Sequence, residues 1–197
     1  MTLRTMLIWA VVVAALVVPI AAAAFSPLLQ WRGPIYIAAG FAGIVAMALM
    51  LLQPLLAARL LPGIMAQQSR RFHRGIGVVL ILAVVAHVVG LWITSPPDVV
   101  DVLLLRSPTP FSLWGVAAMW ALFAAGFVAA LRRRFSLRVW RLVHTTLVVI
   151  VVTGTVVHAL LIDGTMETVS KAVLGVILGV ATLKAVSDLR CWRILRR

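Results

Sequence analysis

Six stretches of this chain, residues 6–25, 34–56, 75–93, 113–131, 139–161 and 169–187, are almost wholly apolar. Each is about 20 residues long, the length an α-helix needs to cross a bilayer at 1.5 Å per residue. A segment in hydrocarbon must pair its own N–H and C=O groups, and a helix does so within the segment. Composition agrees: 63% of the 197 residues are hydrophobic and mean hydropathy is +1.13, against roughly 45–50% apolar residues in a soluble domain. Proline, glycine and nearly all the charges fall between the runs, where turns belong. The expected fold is all-α, an integral membrane bundle of six transmembrane helices with both termini cytoplasmic, forming a single domain over residues 1–197. The first run, with Arg4 before it and alanines at 21–24 behind it, also has the form of a cleavable signal peptide. The length of its apolar run favours a retained helix.

Charge orients the bundle. With six spans, the N-terminus, the second and fourth loops and the C-terminal tail share one side. That side holds fifteen Lys and Arg residues, among them Arg70, Arg71, Arg74, Arg132, Arg133, Arg134 and the tail arginines 190, 193, 196 and 197, against Asp188 alone. The other side holds Arg32, Arg106 and Lys171 against Asp98, Asp101, Asp163 and Glu167. Such an asymmetry puts the arginine side in the cytoplasm. The pI near 12 therefore reflects orientation and contact with anionic lipid, not nucleic acid. The single cysteine, Cys191, cannot form an internal disulfide and is read as incidental.

Polar groups are costly in such a setting, and the four histidines are arranged. Residues 71–87 read RFHRGIGVVLILAVVAH and residues 141–158 read RLVHTTLVVIVVTGTVVH, so His73 and His87, and His144 and His158, are each fourteen apart. Fourteen residues are just under four helical turns, which puts both members of a pair on one helix face, about 21 Å apart. No single ion can be held by groups so separated. The two helices must supply two sites, each taking one imidazole per helix.

Zinc wants about four protein ligands, or three and a water, and the neighbouring apolar spans offer no Cys, Asp or Glu. A haem brings four in-plane nitrogens and asks the protein for one or two axial ligands, most often histidine. With no C-x-x-C-H motif, the haems expected are b-type and noncovalent. The third and fifth spans run in the same direction, which pairs His73 with His144 and His87 with His158. Around the histidines, Gly75, Gly77, Gly90 and Gly154 fit close approach of a porphyrin. Arg71, Arg74 and Arg141 fit its propionates, and Thr153 or Thr155 fits steering of an imidazole.

Six spans with matched histidine pairs in the third and fifth, and the motifs RRFHR and WRLVH around them, resemble the ferric reductase-like transmembrane domain superfamily. It includes ferric reductases, NADPH oxidases and the MsrQ/YedZ-type stand-alone haem b membrane proteins. The resemblance implies two stacked haems passing electrons across the membrane, usually from a cytoplasmic flavin. No G-x-G-x-x-G or phosphate loop occurs in the 197 residues, so the expected donor is a separate cytoplasmic flavin reductase, drawn to the arginine loops, or a membrane quinol. The expectation is a dihaem b-type electron-transfer protein of a bacterial inner membrane, serving a periplasmic acceptor, a periplasmic redox protein or a larger membrane complex. It would be the membrane haem subunit of an oxidoreductase. The apolar run at 99–105, too short to span, is expected on the surface or against the bundle, roofing the periplasmic-side haem.

Two other classes compete. A non-redox assembly subunit of a membrane complex would carry no haem. A transporter using histidines as proton relays calls for acidic or polar neighbours and broken helices near the midplane, and the sequence has neither.

Overall fold

The computed structural model describes residues 2–189; Cys191 and the arginines at 190, 193, 196 and 197 lie outside them. The described residues form α1 (Leu3–Ala24), α2 (Pro34–Ala57), α3 (Ala66–Thr94), α4 (Pro96–Leu103), α5 (Pro110–Ala130), α6 (Leu137–Leu161) and α7 (Thr168–Asp188), with no strand among them. All but α4 are long and apolar enough to cross a membrane. The chain is a multi-pass membrane protein built of helices.

Five of the six long helices begin and end within three residues of the apolar runs. The exception is α3, which starts at Ala66 rather than at 75. Hydropathy marks where lipid contact begins, whereas the helix is set by backbone preference, and alanine, glutamine and arginine are good helix formers. The Gln68 side-chain oxygen accepts the Met65 N–H at 3.0 Å, capping the first turn. The buried Ser69 hydroxyl donates to the Leu56 carbonyl at 2.6 Å, using one of the terminal carbonyls that α2 leaves without a helical partner. His73 consequently sits about two turns inside α3 rather than at its edge.

The helices pack as two hairpins. α2 packs most extensively on α3, and α5 on α6, while α7 lies against α2 and α6 and α1 against α2 and α7. The two histidine helices, α3 and α6, share almost no direct packing. A layer of Met50, Leu80, Ala121, Val151, Val152 and Leu178 joins five helices at mid-height. Leu80 and Val151 each fall halfway between the two histidines of their helix. In lipid such a layer holds by close packing, since lipid tails are as apolar as leucine.

Candidate haem site

The structure brings His87 and His158 together at one end of the bundle and His73 and His144 at the other, each pair within electrostatic reach of its own members. The histidine helices therefore run parallel, as expected of the third and fifth of six spans.

At the first of these ends each imidazole is fixed by a neighbouring helix. His87 Nδ1 lies 2.7 Å from the Ala39 carbonyl of α2, and His158 Nδ1 lies 2.9 Å from the Phe111 carbonyl of α5. A carbonyl only accepts, so Nδ1 carries the proton and Nε2 keeps its lone pair. Both carbonyls belong to helices, whose Cβ atoms lean toward the N-terminus. A side chain four residues on would therefore cover the oxygen that the imidazole reaches. Those positions are Gly43 and Gly115. A Cβ added there would stand 3.0 Å from His87 Nδ1 and 2.7 Å from His158 Nδ1.

Both imidazoles line one cavity of about 720 Å³, within the roughly 300–1,000 Å³ of small-molecule sites. Met47, Val84 and Met119 give it apolar walls. Val99 and Leu103 of α4 line it too, with Val99 buried. The apolar run of this loop thus folds against the bundle.

The other end is less tightly fixed. His73 Nδ1 is 3.2 Å from the Gln53 carbonyl of α2. His144 Nδ1 is buried without a hydrogen-bond partner, the Ala125 carbonyl of α5 facing it outside bonding geometry. Trp140 stacks on His144 with ring centroids 5.3 Å apart and planes 11° from parallel, and the Arg132 guanidinium lies 5.1 Å over the Trp140 ring. Trp140 Nε1 is likewise buried without a partner.

Several of the residues picked out around the histidines do other work. Gly90 lets α3 close on α2 at Ala39, and Gly154 lets α6 close on α5 at Trp114 and Ala118. Both serve helix packing, not porphyrin approach. Gly75 borders open space, and Gly77 has only the Gln53 side chain near it. Backbone carbonyls, not Thr153 or Thr155, hold the imidazoles of His73, His87 and His158. Arg71, Arg74 and Arg141 are exposed at the His73/His144 end.

The two glycines and their carbonyls escaped a reading along single helices because they lie on the neighbouring one. A signal was nonetheless present. Ala39 and Phe111, Gly43 and Gly115, and Gln53 and Ala125 are each 72 residues apart, and the corresponding histidines are 71 apart. The hairpin α2–α3 is repeated as α5–α6.

Among the described residues, no group of three or more His, Cys, Asp or Glu side chains could hold a metal ion. Two carbonyl-oriented imidazoles lining one largely apolar cavity suit instead a group that brings its own in-plane donors, which a haem does. The buried, unpartnered Nδ1 of His144 makes the fit at the other end looser.

A family profile described as ferric reductase like transmembrane component matches residues 42–155. The match covers more than half of the chain, takes in His73, His87 and His144, and ends three residues before His158. No curated protein and no solved structure matches the chain.

Proposed function

The chain belongs to the family of ferric reductase-like transmembrane components, whose domains typically bind haem and move electrons across a membrane, and on that premise we propose that it is a dihaem b-type electron conduit. His73 and His144 hold one haem and His87 and His158 the other. The observation that carries this reading is the His87/His158 end: two imidazoles with Nδ1 fixed on backbone carbonyls, lining one cavity between helices that scarcely touch. A bound haem supplies one-electron chemistry at its iron, tuned by its axial ligands and surroundings. The chain's residues do the rest. The carbonyl bonds hold the ring tautomer and raise the basicity of Nε2. The Leu80 and Val151 layer separates the two sites and keeps water from joining them.

The arginine asymmetry sets the direction. The His73/His144 end faces the cytoplasm of a bacterial cell and the His87/His158 end the periplasm, across the inner membrane. Electrons enter from a cytoplasmic flavin reductase docked on Arg70, Arg71, Arg74 and Arg132–Arg134, or from a quinol, and leave to a periplasmic redox protein or other acceptor. Arg71, Arg74 and Arg141 serve the propionates of the cytoplasmic-side haem.

A reduced-minus-oxidised spectrum of the purified chain, with a pyridine haemochrome count, tests the reading. Two haems b per chain are expected; a chain without a Soret band overturns it. Reporter fusions test the direction: cytoplasmic after Arg134, periplasmic after Asp163. The reverse pattern would invert the electron flow.

A further inference from the structure

Lys171 is the fourth residue of α7 and only 3% exposed. A buried lysine is rare unless paired, and the first turn of a helix is the positive end of its dipole, where a cation is disfavoured. The Lys171 ammonium has three N–H donors, and its hydrogen bond goes to the Ile162 carbonyl at 2.7 Å. Among the described residues the ion pair is Lys184–Asp188, and no carboxylate lies within ion-pair distance of Lys171. Glu167, one turn away, is occupied: its carboxylate accepts the N–H groups of Val169 at 2.6 Å and Ser170 at 2.7 Å, capping α7. Glu167 is thus a counter-charge at a distance, exposed and held at the cap, and a cation this buried at this end of a helix can still take an anion from outside the chain.

The cavity says where that anion sits. Lys171 lines the same space as His87 and His158. It is tied to them through the chain as well, because the Ile162 carbonyl it bonds follows directly on the last turn of α6, where the Ile162 N–H caps His158. Arg32 also lines the cavity, its guanidinium 4.8 Å over the Tyr36 ring. Of the hydroxyls nearby, those of Ser107, Thr109 and Ser112 are engaged with one another. The Asp98 carboxylate, which accepts from the Ser95 hydroxyl, lines the cavity as well; the rest is largely apolar, with two imidazoles and the one deep cation. Its ligand has a broad apolar body and a carboxylate edge.

We propose that Lys171, with Arg32, forms a carboxylate-binding site in this cavity, and that the carboxylates it takes are those of the porphyrin held by His87 and His158. The proposal rests on the haem reading above. It gives this end its own anionic partner, since Arg71, Arg74 and Arg141 lie at the opposite end, about 21 Å along the helices.

The test uses the full chain as wild type, Lys171→Met and Lys171→Arg, with haem counted by pyridine haemochrome and both midpoint potentials followed by absorbance. Lys171→Met should lose the His87/His158-end haem or bind it about tenfold or more weakly, the ordinary cost of one charge-assisted hydrogen bond. Lys171→Arg should retain it. The other haem should be unaffected and so reports that the bundle has folded. Stripped wild type should take up haem about tenfold or more tightly than haem dimethyl ester at this end, and Lys171→Met should not discriminate. If Lys171→Met keeps both haems with unchanged potentials and unchanged discrimination, the proposal is overturned. It is also overturned if Lys171→Met loses both haems and Lys171→Arg does not restore the one beside it. Equal uptake of acid and ester by wild type, with citrate binding weakened in Lys171→Met, would assign the site to a free carboxylate and overturn the porphyrin assignment. A wild-type chain without haem would instead overturn the preceding reading.

Discussion

At the His87/His158 end each imidazole hydrogen-bonds a helix carbonyl that a glycine leaves uncovered; at the His73/His144 end the places of Gly43 and Gly115 are taken by Ala57 and Ala129. The spacing is the same in both, with the carbonyl at one position and the covering residue four further on. The consequence shows in the distances. The glycine end has bonds of 2.7 and 2.9 Å, whereas the alanine end has one of 3.2 Å and an imidazole nitrogen with no partner. A methyl group over the carbonyl goes with a longer bond to the ring, as at His73, or with none, as at His144. At the alanine end the stacked Trp140 takes over part of that task. The comparison teaches that the two sites, alike in ligands, differ in how firmly those ligands are aimed.

The largest expected effect comes from adding that methyl group. Gly115→Ala puts a Cβ 2.7 Å from His158 Nδ1, and Gly43→Ala puts one 3.0 Å from His87 Nδ1. Losing the partner that orients a ligating histidine costs about 10–100-fold in affinity, so haem retention at this end should fall by that factor, more for Gly115→Ala. Alanine is the better helix former by about 0.5–1 kcal/mol, so the helix itself should not weaken. Retained affinity in both variants would break the comparison. The converse change sharpens it: Ala129→Gly should let the Ala125 carbonyl bond His144 and lower the midpoint potential of the haem at that end, leaving the other unchanged. Trp140→Leu removes a stacked pair worth about 0.5–1.5 kcal/mol and should weaken the same haem by a factor of about 2–10, measured by haem titration.

The smallest effect is one of pH, outside the membrane layer. Hydrogen bonds from the Ser170 hydroxyl, then from the Ser170 and Val169 N–H groups, hold the Glu167 carboxyl below its ordinary value. Its contribution to the α7 cap is present above the ordinary glutamate range and is lost as pH falls through the lowered one. Glu167→Gln should remove that acid sensitivity from hydrogen exchange in the first turn of α7 while leaving both haems in place.

The spans and the histidine faces were legible in the sequence, because hydropathy and helical period are local properties that the tertiary structure does not overrule. The early start of α3 was not, because Gln67, Gln68 and Arg70 are helix formers that hydropathy counts as loop. The glycines were misassigned for a related reason. Gly90 and Gly154 are close to the histidines in sequence yet turned to helix packing, while Gly43 and Gly115 touch the imidazoles from another helix. Only the 72-residue offset between the two hairpins links them, and it becomes meaningful once the hairpins are seen to repeat. Lys171 counted only as one charge at the start of the sixth apolar run until its burial was known.

The most direct test of paired ligation is the haem count per chain after single and combined histidine substitutions. His87→Ala and His158→Ala should each lower the count from two to one by removing the same haem, and the double substitution should do no more, because the two residues act on one site. Replacing His73 and His158 together should disturb both. If His87→Ala and His144→Ala instead remove one shared haem while the other survives, the parallel pairing of α3 and α6 is wrong, and the two-site account with it.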